Sequence, residues 1–305
     1  MRYFDLHCDT LTELGEQDLF SNSTLHISLN RAPDTYLQCF AVFIPDSLRG
    51  DDAWEYYLKH RDIFFRYSEN GGIIRITDAE TLAKAAEYGK GGLLTVESGA
   101  VLGGKLSRIE KLRRDGVAML TLTWNGENEL GFGSSENKGL TSFGKEAVKE
   151  LENCGITVDV SHLSERGFAD LCEISARPFV ASHSNCYCVH PHRRNLKDWQ
   201  ITEIVNRGGL IGVNIYSEFL SRKSADIKDI AKHISHLEKL NASYSICFGA
   251  DFDGIHTMPK GISGIESVSY LRLQLEKLSV SEERLEKYFY NNAFDFFNRL
   301  WRNKK

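Results

Sequence analysis

The sequence predicts an α/β fold of the (β/α)8 TIM-barrel class, with its working site at the C-terminal ends of the strands. Three observations carry that prediction. Eight short apolar runs rich in β-forming residues recur along the 305 residues. Stretches with helical periodicity separate them, the alternation that builds a parallel sheet from βα units. Residues able to carry chemistry stand at the C-terminal ends of most of the runs, where a barrel of this class assembles its site. An eight-stranded open, doubly wound sheet would produce nearly the same alternation, so the third observation decides between the two.

In chain order the runs are 3–9 (YFDLHCD), 37–45 (LQCFAVFIP), 92–99 (GLLTVESG), 117–125 (VAMLTLTWN), 156–162 (ITVDVSH), 178–185 (PFVASHSN), 210–217 (LIGVNIYS) and 245–254 (SICFGADFDG). Helices are expected over 51–70, 106–116, 142–155, 164–175, 197–209 and 226–241, several with Ser or Asp at the start and Gly or Asn at the end, as caps require. From 281 onward Leu285, Tyr288, Phe289, Asn292 and Phe296 again fall at helical spacing, and their aromatics suit core packing better than a ligand box. No fixed-period repeat or Pro/Gly-rich linker interrupts the chain. One domain over 1–305, with a helical extension over about 280–305, is the expectation.

Composition narrows the function classes. With 37 basic and 42 acidic side chains the net charge is −5, and no lysine-rich run offers a footprint for a polyanion, so nucleic acid is set aside as a partner. The opening MRYFDLHCDT places carboxylates and an imidazole where an export signal needs a basic stretch and an apolar run. No window approaches the ~20 apolar residues of a membrane span. A cytoplasmic chain without a transmembrane segment is expected. Its seven cysteines lack a paired CxxC framework and read as reduced thiols.

The chemistry lies at the run ends. Side chains two apart on a strand share a face, so His7 and Asp9 project together, with Asp5 deeper, and can share a metal. Glu97 follows GLLTV, where a buried carboxylate needs a proton, an ion pair or a cation. His162 follows ITVDVS and His183 follows PFVAS. Each alone has an ordinary reading: a solvated pair, a salt bridge, a hydrogen-bonded core histidine. Five such donors at the ends of four runs favour a metal site, and nitrogen and oxygen donors of this kind suit zinc. Five exceed the three protein ligands and a water usual for one catalytic zinc. Two ions fit better, with Glu97 as the bridge because a carboxylate has two oxygens, His7 and Asp9 on one ion, and His162 and His183 on the other.

The motifs DLHCDT (5–10), ESG (97–99), LTLTWN (120–125), GITVDVSHLS (155–164), SHSNCYCVHPHRRN (182–195) and GADFDG (249–254) make the chain resemble, over essentially its whole length, the membrane dipeptidase family, peptidase family M19 of the amidohydrolase superfamily. The resemblance implies a (β/α)8 barrel and a zinc-dependent dipeptidase. Its two Zn2+ would be bridged by Glu97 and a hydroxide and held by His7, Asp9, Glu97, His162 and His183. It implies further that Arg194 grips the terminal carboxylate of a small dipeptide substrate, and that Asp251 is the acid/base group, with Asp253 orienting its neighbours. Arg193 reads as a surface charge, and His190 and His192 as loop supports. Dipeptides with a C-terminal D-residue belong to the implied substrate range. The alternatives are another amide hydrolase of the superfamily, acting on N-acyl amino acids or cyclic amides, and a barrel that only binds. A homodimer suits the class, though no residue of the sequence argues for it. One position departs from the family pattern: Trp124 stands where better-known members carry a histidine near the scissile carbonyl. An indole donates but neither accepts nor ionises, so retained hydrolysis with altered specificity is expected, with Asn125 as the substitute donor.

Overall fold

The computed structural model describes residues 1–15 and 17–302, so Asn303, Lys304 and Lys305 of the expected extension lie outside the described residues. Its strands are β1 (Arg2–Cys8), β2 (Thr35–Phe43), β3 (Ile74–Arg75), β4 (Lys90–Glu97), β5 (Val117–Thr121), β6 (Thr157–Asp159), β7 (Ile211–Val213) and β8 (Ile246–Phe248). Seven of them form a curled, wholly parallel sheet in the order β6-β5-β4-β2-β1-β8-β7. The two-residue β3 lies off this path and pairs only with Gly91 and Gly92 at the start of β4.

One expected strand is missing. The run 178–185 forms only single parallel bridges, Val180 to Asp159 and Ala181 to Ile211, between the two edge strands of the sheet. The reason is local competition for its backbone donors. Asp159 Oδ1 accepts the Ser182 N–H at 2.9 Å and Ser161 Oγ accepts the His183 N–H at 3.0 Å, so side chains take the bonds that a longer ladder would use. The strands β6, β7 and β8 likewise have three residues each, far fewer than their apolar runs, because the remainder of each run bends away to carry polar residues.

Caps set the helix starts as expected. Thr141 and Ser164 accept the N–H groups of Gly144 and Gly167, and Asp226 caps Ile227–Lys239. The helix Ala79–Tyr88, outside the expected set, starts with a reciprocal Asp78–Thr81 capping box and ends at Gly89 with φ 91°, a left-handed turn that glycine makes without strain.

Register shows how the two ends of the sheet are used. Phe4 lies opposite Leu37, and Cys39 opposite Leu93, so these four share a face on which Thr95 and then Glu97 follow along β4. Near the strand starts that face is apolar, and Phe4, Leu37, Cys39 and Leu93 cluster with Phe296, Phe297 and Trp301 of the last helix, Asn292–Arg302. Phe297 stacks on Phe4 at 5.7 Å, and Arg2 at the head of β1 bonds Glu286 and Asn291. The C-terminal helical segment therefore plugs the N-terminal end of the sheet and leaves the opposite end to the polar residues. No helix among the described residues is long and apolar enough to cross a membrane.

Candidate metal centre

The polar residues converge at the open end. His7 sits within β1 and Asp9 just beyond it, Glu97 closes β4, and His162, His183 and Asp251 follow β6, the Ala181 bridge and β8. All six are at most 8% exposed. The pairing of β1 with β2 shifts register between Asp5 and Cys8, which re-aims His7 relative to Asp5. Asp5 consequently stays out of the cluster. Its carboxylate accepts the backbone N–H groups of His7 at 2.9 Å and Ala250 at 3.1 Å and the Tyr3 hydroxyl, tying β1 to the exit of β8 beside Asp251. His162, Asp251 and Asp253 all hold left-handed backbone, with φ of 69°, 64° and 68°.

Glu97 is the centre of the geometry. Its Oε2 faces His7 Nε2 at 3.5 Å, while its Oε1 faces His162 Nε2 at 2.9 Å and His183 Nε2 at 3.5 Å. Asp9 Oδ1 lies at 3.5 Å and Asp251 Oδ1 at 3.8 Å from the same His7 Nε2. Two donor groups result: His7, Glu97 and His183, and His7, Asp9 and Asp251, each with its ligand atoms mutually within 4.8 Å. Among the described residues His7 Nε2 and Asp9 Oδ1 are buried with no hydrogen-bond partner, an arrangement costly for polar atoms unless a cation serves both. Partners elsewhere hold the rings and carboxylates in place. His162 Nδ1 meets Asn125 Oδ1 at 3.1 Å, His183 Nδ1 meets Ser182 Oγ at 2.7 Å, and Asn214 Nδ2 donates to Asp251 Oδ2 at 2.9 Å. Gly254 completes the packing, because a Cβ there would lie 2.6 Å from Asp251 Oδ1 and closer still to Asp9 Oδ2.

Proton affinities in the cluster are displaced in opposite directions. Burial opposes charge on His7, but Glu97 and Asp9 outweigh it and hold the imidazole well above its usual range. Burial also opposes charge on Glu97, yet His7 and His162 keep it well below the carboxylate range. Burial and the Glu97 charge raise Asp9 to about 6, and burial raises Asp251 to about 8 against the pull of His7. Burial, then the Arg194 charge, pushes His162 down to about 4, and His183 is held well below its usual range by burial and His7. The neutral imidazoles of His162 and His183 facing the ionised Glu97 are a donor set suited to divalent cations, and a cation bound there would displace the protons that His7, Asp9 and Asp251 hold in its absence.

A cavity of about 660 Å3 opens onto the cluster, with Phe43, Trp124, Tyr216 and Phe219 among its walls. Trp124 meets Phe43 edge to face at 4.9 Å and lies 6.2 Å from the His162 ring. Beyond His162 a second cavity of about 310 Å3 is lined by Ser134, Arg193, Arg194 and Lys197. Arg194 is 5% exposed, and among the described residues its Nε lacks a partner and its guanidinium bonds only the His183 carbonyl, at 3.4 Å beside the Phe219 ring. No carboxylate among the described residues forms an ion pair with it, and burial pulls its proton affinity down to about 10. Arg193 is exposed. His190 bonds the Glu218 carbonyl and His192 accepts the Arg194 N–H, so both brace the loop that carries Arg194. Asp253 accepts the Thr10 hydroxyl and the His26 N–H, each at 2.6 Å. Asn214, Ser182 and Gly254 enter the site without having been expected there. Asn214 does carry a signal, a polar side chain within the apolar run 210–217.

Comparison with known proteins agrees with this architecture. The family model described as membrane dipeptidase, peptidase family M19, matches residues 1–304. The crystal structure of the dipeptidase AC, a metallopeptidase of family M19, superposes with a TM-score of 0.92 at 25% identity over 99% of both chains. A metallopeptidase from Rhodobacter sphaeroides, solved with a phosphinate mimic of the dipeptide L-Ala-D-Ala, superposes at 0.91 with 24% identity, again over 99% of both chains. An uncharacterized dipeptidase of Schizosaccharomyces pombe is 32% identical over 181 residues, 56% of this chain and 44% of that protein, so the match spans less than half of this curated relative.

Proposed function

Because this chain belongs to peptidase family M19, the membrane dipeptidase family, we propose that it is a dipeptidase that cleaves the peptide bond of small dipeptides with two zinc ions held by His7, Asp9, Glu97, His162 and His183. The observation that carries this reading is the placement of Glu97, whose two oxygens face different imidazoles, one cavity away from a buried and unpaired Arg194. Ions bound there supply Lewis acidity toward the carbonyl and a water acidic enough to attack near neutral pH.

The chain's own residues supply the rest. Asp251, with one oxygen bonded by Asn214 and the other facing His7, is the group that would take a proton from the attacking water and return it to the leaving amine, once bound cations have displaced the proton it otherwise holds. Arg194 offers a planar fork to the free carboxylate, and a substrate held between it and the cluster is limited to about two residues. Trp124 walls the main cavity beside His162 and presents an indole N–H in place of a titratable ring. Asn125 accepts the His162 Nδ1–H through its side-chain oxygen and leaves its amide N–H groups for substrate. The fold that accompanies this reading is the full (β/α)8 barrel, with the bridges at Val180 and Ala181 as its closing stave.

The test is a zinc-loaded screen of L,L and L,D dipeptides beside N-acyl amino acids. Turnover of free dipeptides is expected. Turnover confined to the N-acylated compounds would assign another amide hydrolase, and no turnover and no bound metal with zinc or manganese added would refute the enzyme altogether.

A further inference from the structure

We propose that Asp159 acts through the Ser182 hydroxyl to fix which nitrogen of His183 is bare, preparing that imidazole to bind a metal. Both would be positioning residues, since neither touches substrate. The inference rests on the reading of His183 as a ligand, and it extends that reading to residues outside the donor set.

Asp159, fully buried at the end of β6, splits its carboxylate between two tasks. Oδ1 accepts two backbone N–H groups, from Ser161 at 3.0 Å and Ser182 at 2.9 Å. Oδ2 receives two hydroxyls, Thr121 Oγ1 and Ser182 Oγ, each at 2.6 Å. Ser182 Oγ in turn lies 2.7 Å from His183 Nδ1. A hydroxyl carries one proton. Two oxygens 2.6 Å apart need a proton between them, and a carboxylate has none to give, so the Ser182 proton points to Asp159. The 2.7 Å contact then requires Nδ1–H of His183 to donate to Ser182, which leaves Nε2 bare, 2.9 Å from His162 Nε2 and 3.5 Å from Glu97 Oε1. His183 N–H is held by Ser161 Oγ at 3.0 Å, so both the ring's proton and its backbone are set from the same short segment.

The arrangement can be inverted by one isosteric change. In Asp159→Asn the two backbone N–H groups still demand an acceptor at the Oδ1 position, which forces the amide nitrogen into the place of Oδ2. That nitrogen donates to Ser182, the Ser182 proton turns to His183 Nδ1, and the imidazole proton moves to Nε2, where it blocks ligation. An amide replacing the carboxylate of such a chain traps the wrong tautomer.

Nitrogen-15 NMR of histidine-labelled, metal-free protein at about pH 8 reads the His183 tautomer, and zinc titration against a competing chelator reads affinity. The wild-type chain should show Nδ1–H. Asp159→Asn should show Nε2–H and lose about 10–100-fold in zinc affinity for the ion at His162 and His183. Thr121→Val, which removes the other hydroxyl from the same oxygen, should keep both the wild-type tautomer and its affinity. Ser182→Ala should leave Nδ1 without a partner and mix the tautomers, and it carries the test if Asp159→Asn does not fold. An Asp159→Asn protein that keeps Nδ1–H, a Ser182→Ala protein unchanged in both readouts, or a Thr121→Val protein as impaired as Asp159→Asn would overturn the proposal. A wild-type chain that shows Nδ1–H but takes up no zinc would support the relay and refute the metal reading instead.

Discussion

Replacing Arg194 with methionine should weaken catalysis and strengthen the fold. The guanidinium is buried without a carboxylate, and its proton affinity falls to about 10. At about 1.4 kcal/mol per tenfold change in proton affinity, keeping it charged costs the ligand-free fold about 3 kcal/mol. Methionine of similar length removes that cost and loses only a 3.4 Å hydrogen bond to His183 and a cation–ring contact with Phe219. Removing a buried charge that Glu97, Asp251 and Asp159 offset only in part should therefore raise unfolding free energy by about 1–3 kcal/mol. A dipeptide carboxylate supplies the missing partner, and truncating such a buried charged pair costs about 2–5 kcal/mol. That corresponds to about a 30- to 5,000-fold fall in kcat/KM. Urea unfolding of the chelator-treated protein and steady-state kinetics on one dipeptide measure the two effects. A variant that unfolds more easily yet turns over dipeptides at the original rate would refute both the unpaired charge and its assigned role.

Three further outcomes follow from the same geometry. Glu97→Gln removes the charge that both halves of the cluster share, so elemental analysis should find the ions lost and turnover should fall about a thousandfold or more. In Gly254→Ala the added Cβ meets the carboxylates of Asp9 and Asp251; it should cost about 1–3 kcal/mol, with weaker metal binding and lower kcat but an unchanged circular dichroism spectrum. His233 is buried, with Nδ1 accepting the Cys186 N–H and Nε2–H donating to the Leu220 carbonyl, and burial lowers its proton affinity to about 4. The unfolded chain takes that proton at the ordinary histidine value near 6.5. Its contribution of about 3 kcal/mol is thus complete above pH 6.5 and lost as pH falls toward 4. Urea midpoints at pH 7.5 and 4.5 should converge in His233→Gln relative to the wild type, and an unaltered pH slope would contradict the assignment.

The donors themselves were readable because a strand with an apolar run behind it exposes its chemistry at one end. His7, Asp9, Glu97, His162 and His183 all obey that rule, and the structure brings them together around one carboxylate. What escaped is non-local. The register shift that separates Asp5 from His7 depends on how β1 meets β2, and the failure of the 178–185 run to form a strand depends on Asp159 and Ser161, some 20 residues earlier. That Arg194 would lie buried without a carboxylate depends on every segment folded around it. The helix Ala79–Tyr88 has a local cap, but its buried stripe is only Leu82 and Ala85, too thin for apolar periodicity to reveal.

The left-handed residues of the site have a consequence for how it can change. A sharp turn is usually entrusted to glycine, but here His162, Asp251 and Asp253 are themselves the turning residues. Histidine and aspartate tolerate this backbone better than most side chains do. Where the functional group is also the pivot of the turn, no slack remains between main chain and side chain, so the loop cannot drift without re-aiming the group it carries. Variation in these loops is free only between such pivots, and new specificities would have to arise there.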